Sequence, residues 1–188
     1  MRPSNSYAAS KAAGELISYA YWRAGLVNLI ITNAVNNFGE TQSVSKYPAM
    51  LQRKLARGEK VTVHGSPSGI GSRYYLHSGS TADALRHILT TTTPRQHQQG
   101  AIDEPDKYHI VGDELNNLEL AELVAETMGT ELDYELVDPH ADTGNPAHDI
   151  EYRMQDNKLR ASGWKPPVSL RESMQRTVEW TQAHPQWR

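Results

Sequence analysis

Ser6-Tyr7-Ala8-Ala9-Ser10-Lys11-Ala12-Ala13 reads as the opening turns of a helix. Ser4, Asn5 and Ser6 are good N-cap types, the alanines are strong helix formers, and Gly25 can close a run from Tyr7 to Ala24. On that helix Tyr7 and Lys11 stand at i and i+4, on one face. A cation beside a phenol favours the phenolate. A tyrosine so placed can take a proton from a hydroxyl while hydride leaves the same carbon. The pair alone is weak evidence, because a chain with nine tyrosines meets such a spacing by chance and a lysine on a solvated helix face is common.

Working outward, Leu26 to Ala34 is dense in Leu, Val and Ile and predicts a buried strand. A polar loop is expected from Asn36-Asn37-Phe38-Gly39 to Ser45, then a helix over Pro48 to Arg57 ended by Gly58. Lys60 to His64 alternates like a strand, Gly65 to Ser72 reads as a Gly/Ser/Pro loop, and Arg73 to His77 as a strand. A helix is expected over Ser80 to Thr90, followed by a polar surface connection, Thr90 to Asp106. Tyr108 to Val111 and Leu132 to Val137 predict strands around an amphipathic helix, Leu118 to Met128. Asp138 to Asp149 reads as an irregular loop. Asp156 can cap a short helix ending at Gly163, and Ser169-Leu170-Arg171-Glu172 forms a capping box for a last helix reaching about His184. Strands alternating with helices predict an α/β or α+β architecture.

The 188 residues are 38% hydrophobic and 22% charged, enough for one globular unit. A net charge of -3 gives no global attraction to nucleic acid or anionic lipid. With no cysteine, thiolate catalysis and a disulfide framework are excluded. The eight histidines show no metal-ligand spacing, so no metal site is expected. No apolar run approaches a membrane span and no signal-peptide core opens the sequence, so the expected location is cytoplasmic.

Several stretches, taken in order, carry a resemblance. The stretch around Tyr7 and Lys11 resembles the catalytic helix of extended short-chain dehydrogenase/reductases. Ile30-Ile31-Thr32-Asn33-Ala34-Val35-Asn36-Asn37-Phe38-Gly39 resembles the strand and turn that follow it in dTDP-glucose 4,6-dehydratases, at a matching distance. Arg57-Gly58-Glu59-Lys60-Val61-Thr62-Val63-His64-Gly65 is similar to that family's nucleotide-embracing strand. Asn145-Pro146-Ala147-His148-Asp149 is similar to its late substrate loop, and Gly163-Trp164-Lys165-Pro166 and Thr177-Val178-Glu179-Trp180 to its C-terminal helices. The resemblance is to the C-terminal part of NAD-dependent nucleotide-sugar epimerases and dehydratases. It implies a truncated Rossmann-type α/β fold: a remnant of the parallel sheet over 1–45, with the tyrosine helix, and a mixed α/β substrate-binding lobe over 46–188.

By that resemblance Tyr7 is the catalytic base and Lys11 holds the nicotinamide ribose. Asn37 lies beside the cofactor and Asn36 meets the sugar-nucleotide diphosphate. Lys46 and Tyr47 sit near the nucleotide, and Thr62, Val63 and His64 line the base through their backbone. Arg73 binds phosphate with its fixed fork of donors. Asn117 adds a neutral donor there, and His148 and Asp149 belong to the substrate loop.

The sequence also departs from the family. No Gly-x-x-Gly-x-x-Gly turn between strand and helix occurs, so most of the NAD site is expected to lie outside these residues. The family's Ser/Thr partner of the tyrosine and its Asp-Glu acid/base pair precede the tyrosine helix and have no counterpart here. The loop Gly65 to Ser72 is about two residues longer than the family's. Tyr74-Tyr75 follows Arg73 where an acidic residue and an aromatic one are usual, and Asn145 stands where an arginine is usual. The expectation is a nucleoside-diphosphate-sugar 4,6-dehydratase or epimerase part, inactive alone, that self-associates or binds a separately encoded N-terminal half. The alternative is a non-catalytic relative serving as a nucleotide-sugar-binding or oligomerisation module. Neither reading involves nucleic acid or a membrane.

Overall fold

The structure is a computed structural model that describes residue 3 and residues 5–66, 69–98, 103–138 and 154–187. The first helix, α1 (Ser6–Arg23), starts where the Asn5 side chain accepts the Ala8 N–H, and Gly25 follows its end at φ 71°. Trp22 is its one buried residue. The chain then enters β1 (Ile30–Ala34), which pairs in parallel with β6 (Asp106–Ile110) as a two-stranded sheet. The predicted strand is therefore shorter than expected and half-exposed, since Leu26 and Val27 lie in the exposed connection before it.

After Val35 the chain leaves that sheet for a second one. Asn36–Phe38 forms β2, parallel to β5 (Ser72–His77), which in turn pairs antiparallel with β7 (Asp113–Asn116). The expected polar loop thus begins as a strand: two asparagines are poor strand formers, and the parallel ladder to Tyr75, Leu76 and His77 overrides them. The third sheet runs β4 (Gly69–Ile70), β3 (Val61–Ser66), β8 (Tyr134–Val137). Over Val61–His64, β3 is bonded to β8 along one edge, while β4 reaches it only at Gly65 and Ser66.

The helices follow their caps. They are α2 (Tyr47–Ala56), α3 (Ser78–Thr91), α4 (Asn117–Met128), α5 (Asn157–Ala161) and α6 (Leu170–Ala183). The reciprocal capping box belongs to α4, through Asn116 and Glu119. At α6 only the Ser169 half is formed, with its hydroxyl accepting the Glu172 N–H. One core joins α2, α4 and α6 to β3 and β5 around Leu51, Val63, Leu120, Val124 and Met174. A smaller one joins α3, β6 and α5 around Ile88, Ile110, Leu159 and Trp164. Between β6 and β7, Gly112 lies against β5 so closely that a Cβ would fall 2.0 Å from the Tyr75 carbonyl oxygen. Among the described residues, no helix is long and apolar enough to cross a membrane.

Candidate active site

The switch from one sheet to the next builds the site. In parallel sheets ligands bind beyond the carboxyl ends of strands, where neighbouring connections diverge. Here β1 ends at Ala34 beside β6, and β2 starts at Asn36 beside β5. A cavity of about 1050 Å³ opens at that divergence. Ala34, Val35, Asn36 and Asn37 line it, and the exposed Tyr7 borders it.

The walls bring together most of the expected residues. Lys46 and Tyr47 come from the start of α2, Thr62 and His64 from β3, Arg73 from β5, and Asn117 from the start of α4. Val63 is not part of the wall: strand alternation turns its side chain into the main core, where it is fully buried. Lys11 also lies outside the wall, on the same exposed helix face as Tyr7, with Nζ 5.8 Å from the phenol ring centroid. His148 and Asp149 fall outside the described residues.

The cavity's charge is one-sided. Lys46, Lys54 and Arg73 line it, and among the described residues no Asp or Glu does. The N-terminus of α2 adds to this, because Lys46 in the cap position makes no side-chain cap bond and the helix dipole stays uncompensated there. The N-termini of α1, α3, α4 and α6 are by contrast closed by the side chains of Asn5, His77, Asn116 and Ser169. No motif marks Lys54; its Nζ donates to the Lys60 carbonyl at 3.1 Å, from the last turn of α2.

Besides lining the cavity, Asn117 ties the elements around it together. Its Nδ2 donates to the His64 carbonyl at 3.0 Å, its backbone N–H donates to Gly71 O at 3.0 Å, and its own carbonyl accepts the Tyr47 hydroxyl at 3.1 Å. It therefore pins α2, β3 and the β4–β5 turn to one point. Burial pushes the Tyr47 phenol well above its ordinary value, helped by Tyr75. Burial likewise raises Tyr75 to about 12, against the pull of the Arg73 guanidinium. Both phenols stay protonated and wall the cavity, and Tyr47 donates to the Asn117 carbonyl.

The amino-terminal part matches a known family: residues 1–101 fit the NAD dependent epimerase/dehydratase family. The chain belongs to that family. A dTDP-glucose 4,6-dehydratase of Streptomyces niveus is 31% identical over 187 residues, covering 98% of this chain and 51% of that protein. A dTDP-D-glucose 4,6-dehydratase of Mus musculus is 30% identical, covering 95% and 48%. Among solved structures, dTDP-glucose 4,6-dehydratase from Streptomyces venezuelae, determined with NAD bound, superposes with a TM-score of 0.80 at 26% identity, over 100% of this chain and 54% of that one. This member of the extended short-chain dehydrogenase group therefore spans about half the length of the curated relatives it matches. Its fold is the Rossmann-type α/β arrangement of the dehydratases and epimerases.

For NAD, the donor set here suits one end of the molecule. A phenol and an ammonium on one exposed helix face fit a ribose diol.

Proposed function

We propose that these 188 residues are the catalytic-helix and substrate-binding part of an NAD-dependent nucleoside-diphosphate-sugar 4,6-dehydratase or epimerase. The observation that carries this reading is the one-sided charge of the cavity beneath Tyr7: Lys46, Lys54, Arg73 and an uncapped helix start, with no carboxylate among the described walls. A diphosphate is the ligand such a set of donors stabilises. The nucleobase would lie along β3, whose edge over Val61–His64 has no strand partner among the described residues on the side away from β8. Asn117 and Tyr47 hold that edge in place.

In this assignment Arg73 and Lys46 bind the diphosphate, and Asn36 orients it from the cavity wall. Tyr7 faces the sugar and accepts the proton of its hydroxyl, while Lys11 on the next turn steadies the ribose. Asn37 stands beside the ribose end. NAD, when bound, supplies the hydride acceptor. Residues 1–45 form the sheet-side part and 46–188 the substrate lobe. The remaining dinucleotide contacts come from residues outside this sequence, so the chain by itself does not turn over.

Calorimetric titration tests this. The chain should take up dTDP- or UDP-sugars and show no measurable uptake of NAD. Uptake of NAD with no affinity for nucleotide sugars would overturn the assignment. A binding module without catalysis is the second reading, favoured by the exposure of Tyr7, which is 71% accessible. Supplying a dinucleotide-binding half from a relative decides between them: turnover that disappears in Tyr7→Phe identifies an enzyme part.

A further inference from the structure

The segment between β2 and α2 carries Gln42, Ser45 and Lys46 into the cavity. It contains Thr41, at φ 62°, a left-handed conformation that a β-branched residue adopts only when its neighbours hold it. Both neighbours are tied. On the far side, Gln42 Nε2 donates to the Asn37 carbonyl at 2.7 Å. On the near side, Glu40 Oε2 lies 3.0 Å from His77 Nε2.

His77 is a fixed partner. Its ring is buried between Gly39 and Gly79, edge-on to Phe38 at 5.5 Å between centroids. Nδ1 accepts the Gly79 N–H at 3.1 Å, so the proton of the neutral ring sits on Nε2 and is donated to Glu40. A side chain on Gly39 would meet Ser78 Oγ at 2.6 Å and His77 Nε2 at 3.3 Å, so the segment cannot shift towards α3. Burial raises the Glu40 carboxyl, but its own backbone N–H, His77 and the Arg176 charge on α6 outweigh it and hold it below its usual value. The strained turn is thus clamped on both sides, and the wall that holds Lys46 begins directly after the clamp.

We propose that Glu40 and His77 are positioning residues that fix the Thr41–Lys46 segment, and through it Lys46, for a nucleoside diphosphate in the cavity. This rests on the substrate class assigned above. It adds residues that touch no substrate and that no motif in the chain marks.

The test compares Glu40→Ala with Glu40→Gln, whose amide oxygen still accepts from His77 Nε2–H. Two readouts are taken: affinity for UDP and dTDP by titration, and hydrogen exchange over residues 41–46. Glu40→Ala should weaken diphosphate binding about tenfold and speed exchange across 41–46, with α4 protected as before; Glu40→Gln should stay within about twofold of the parent in both. Equal losses in the two variants, or Glu40→Ala exchange unchanged over 41–46, would overturn the proposal. Should the parent chain bind no nucleoside diphosphate, the substrate assignment falls, and the exchange data still decide whether Glu40 clamps the segment.

Discussion

The two ends of the molecule are built on different principles. The lobe around α2, α4 and α6 closes on itself: Leu51, Val61, Val63, Leu120 and Val124 are fully buried, and α4 is capped at both ends. At the other end β1 is laddered to β6, but α1 itself is attached by a few anchors. Trp22 inserts its ring beside His97 and donates to the Arg95 carbonyl at 2.8 Å, while Glu15 pairs with Lys107, whose ammonium also faces Tyr19 at 5.9 Å. The rest of its apolar surface is open: Leu16, Ile17 and Tyr21 are 57%, 60% and 54% exposed. The cavity walls are therefore shaped mainly by a self-sufficient core, whereas Tyr7 beside them rides on an element held by a handful of contacts.

Breaking each end separately sharpens that contrast. Trp22→Ala should cost about 3–5 kcal/mol of local stability. In hydrogen exchange, α1 should lose protection while α4 keeps it; loss across both would show that the two ends unfold together. Leu120→Ala should cost about 2–5 kcal/mol and lower the thermal midpoint of the whole chain, because its site joins three helices and two sheets. A local effect confined to α4 would contradict the account of that core.

A smaller effect concerns the cavity alone. Arg73→Ala should weaken diphosphate binding by about 1.5–3 kcal/mol, the range for a hydrogen bond to a charged group, with little change in the melting midpoint. Unaltered affinity would remove Arg73 from the site.

The smallest effect is on acidity. For Asp103 burial raises the carboxyl, but the Gln98 N–H and His97 outweigh it; for Asp106 burial is outweighed by Lys158 and the Arg95 N–H, so both end below the usual 3.8. A depressed carboxyl stabilises fully above its unfolded value and loses that contribution as pH falls through the folded one. Acidification below about pH 4 should thus release the Trp22 seat before it melts the main lobe. Tryptophan fluorescence in Trp22→Phe, set against the parent chain, isolates that step. Simultaneous loss of both regions would contradict it.

Local chemistry makes much of this legible. Asn5, Gly25, Gly58 and Gly129 mark helix ends in the sequence, and the ordered motifs from Tyr7 to Trp180 point to the family and fold that the chain has. Non-local pairing is not legible. Asn36 and Asn37 read as a loop because their strand exists only against β5. The box at Asn116 and Glu119 opens α4 one residue before the expected helix, and nothing local shows that Asn117 beside it pins three elements. Glu40 and His77 are 37 residues apart and match no spacing rule; only the parallel register of Phe38 with His77 brings them together.

The central claim is that the cavity under Tyr7 takes a nucleoside diphosphate. Titrating dTDP or UDP into the isotope-labelled chain and following amide chemical shifts tests it most directly. The account predicts saturable shifts concentrated at Asn36 and Asn37, Gln42 to Tyr47, Thr62 to His64 and Arg73. Shifts confined to the α3–α5 side, or none at millimolar ligand, would contradict it.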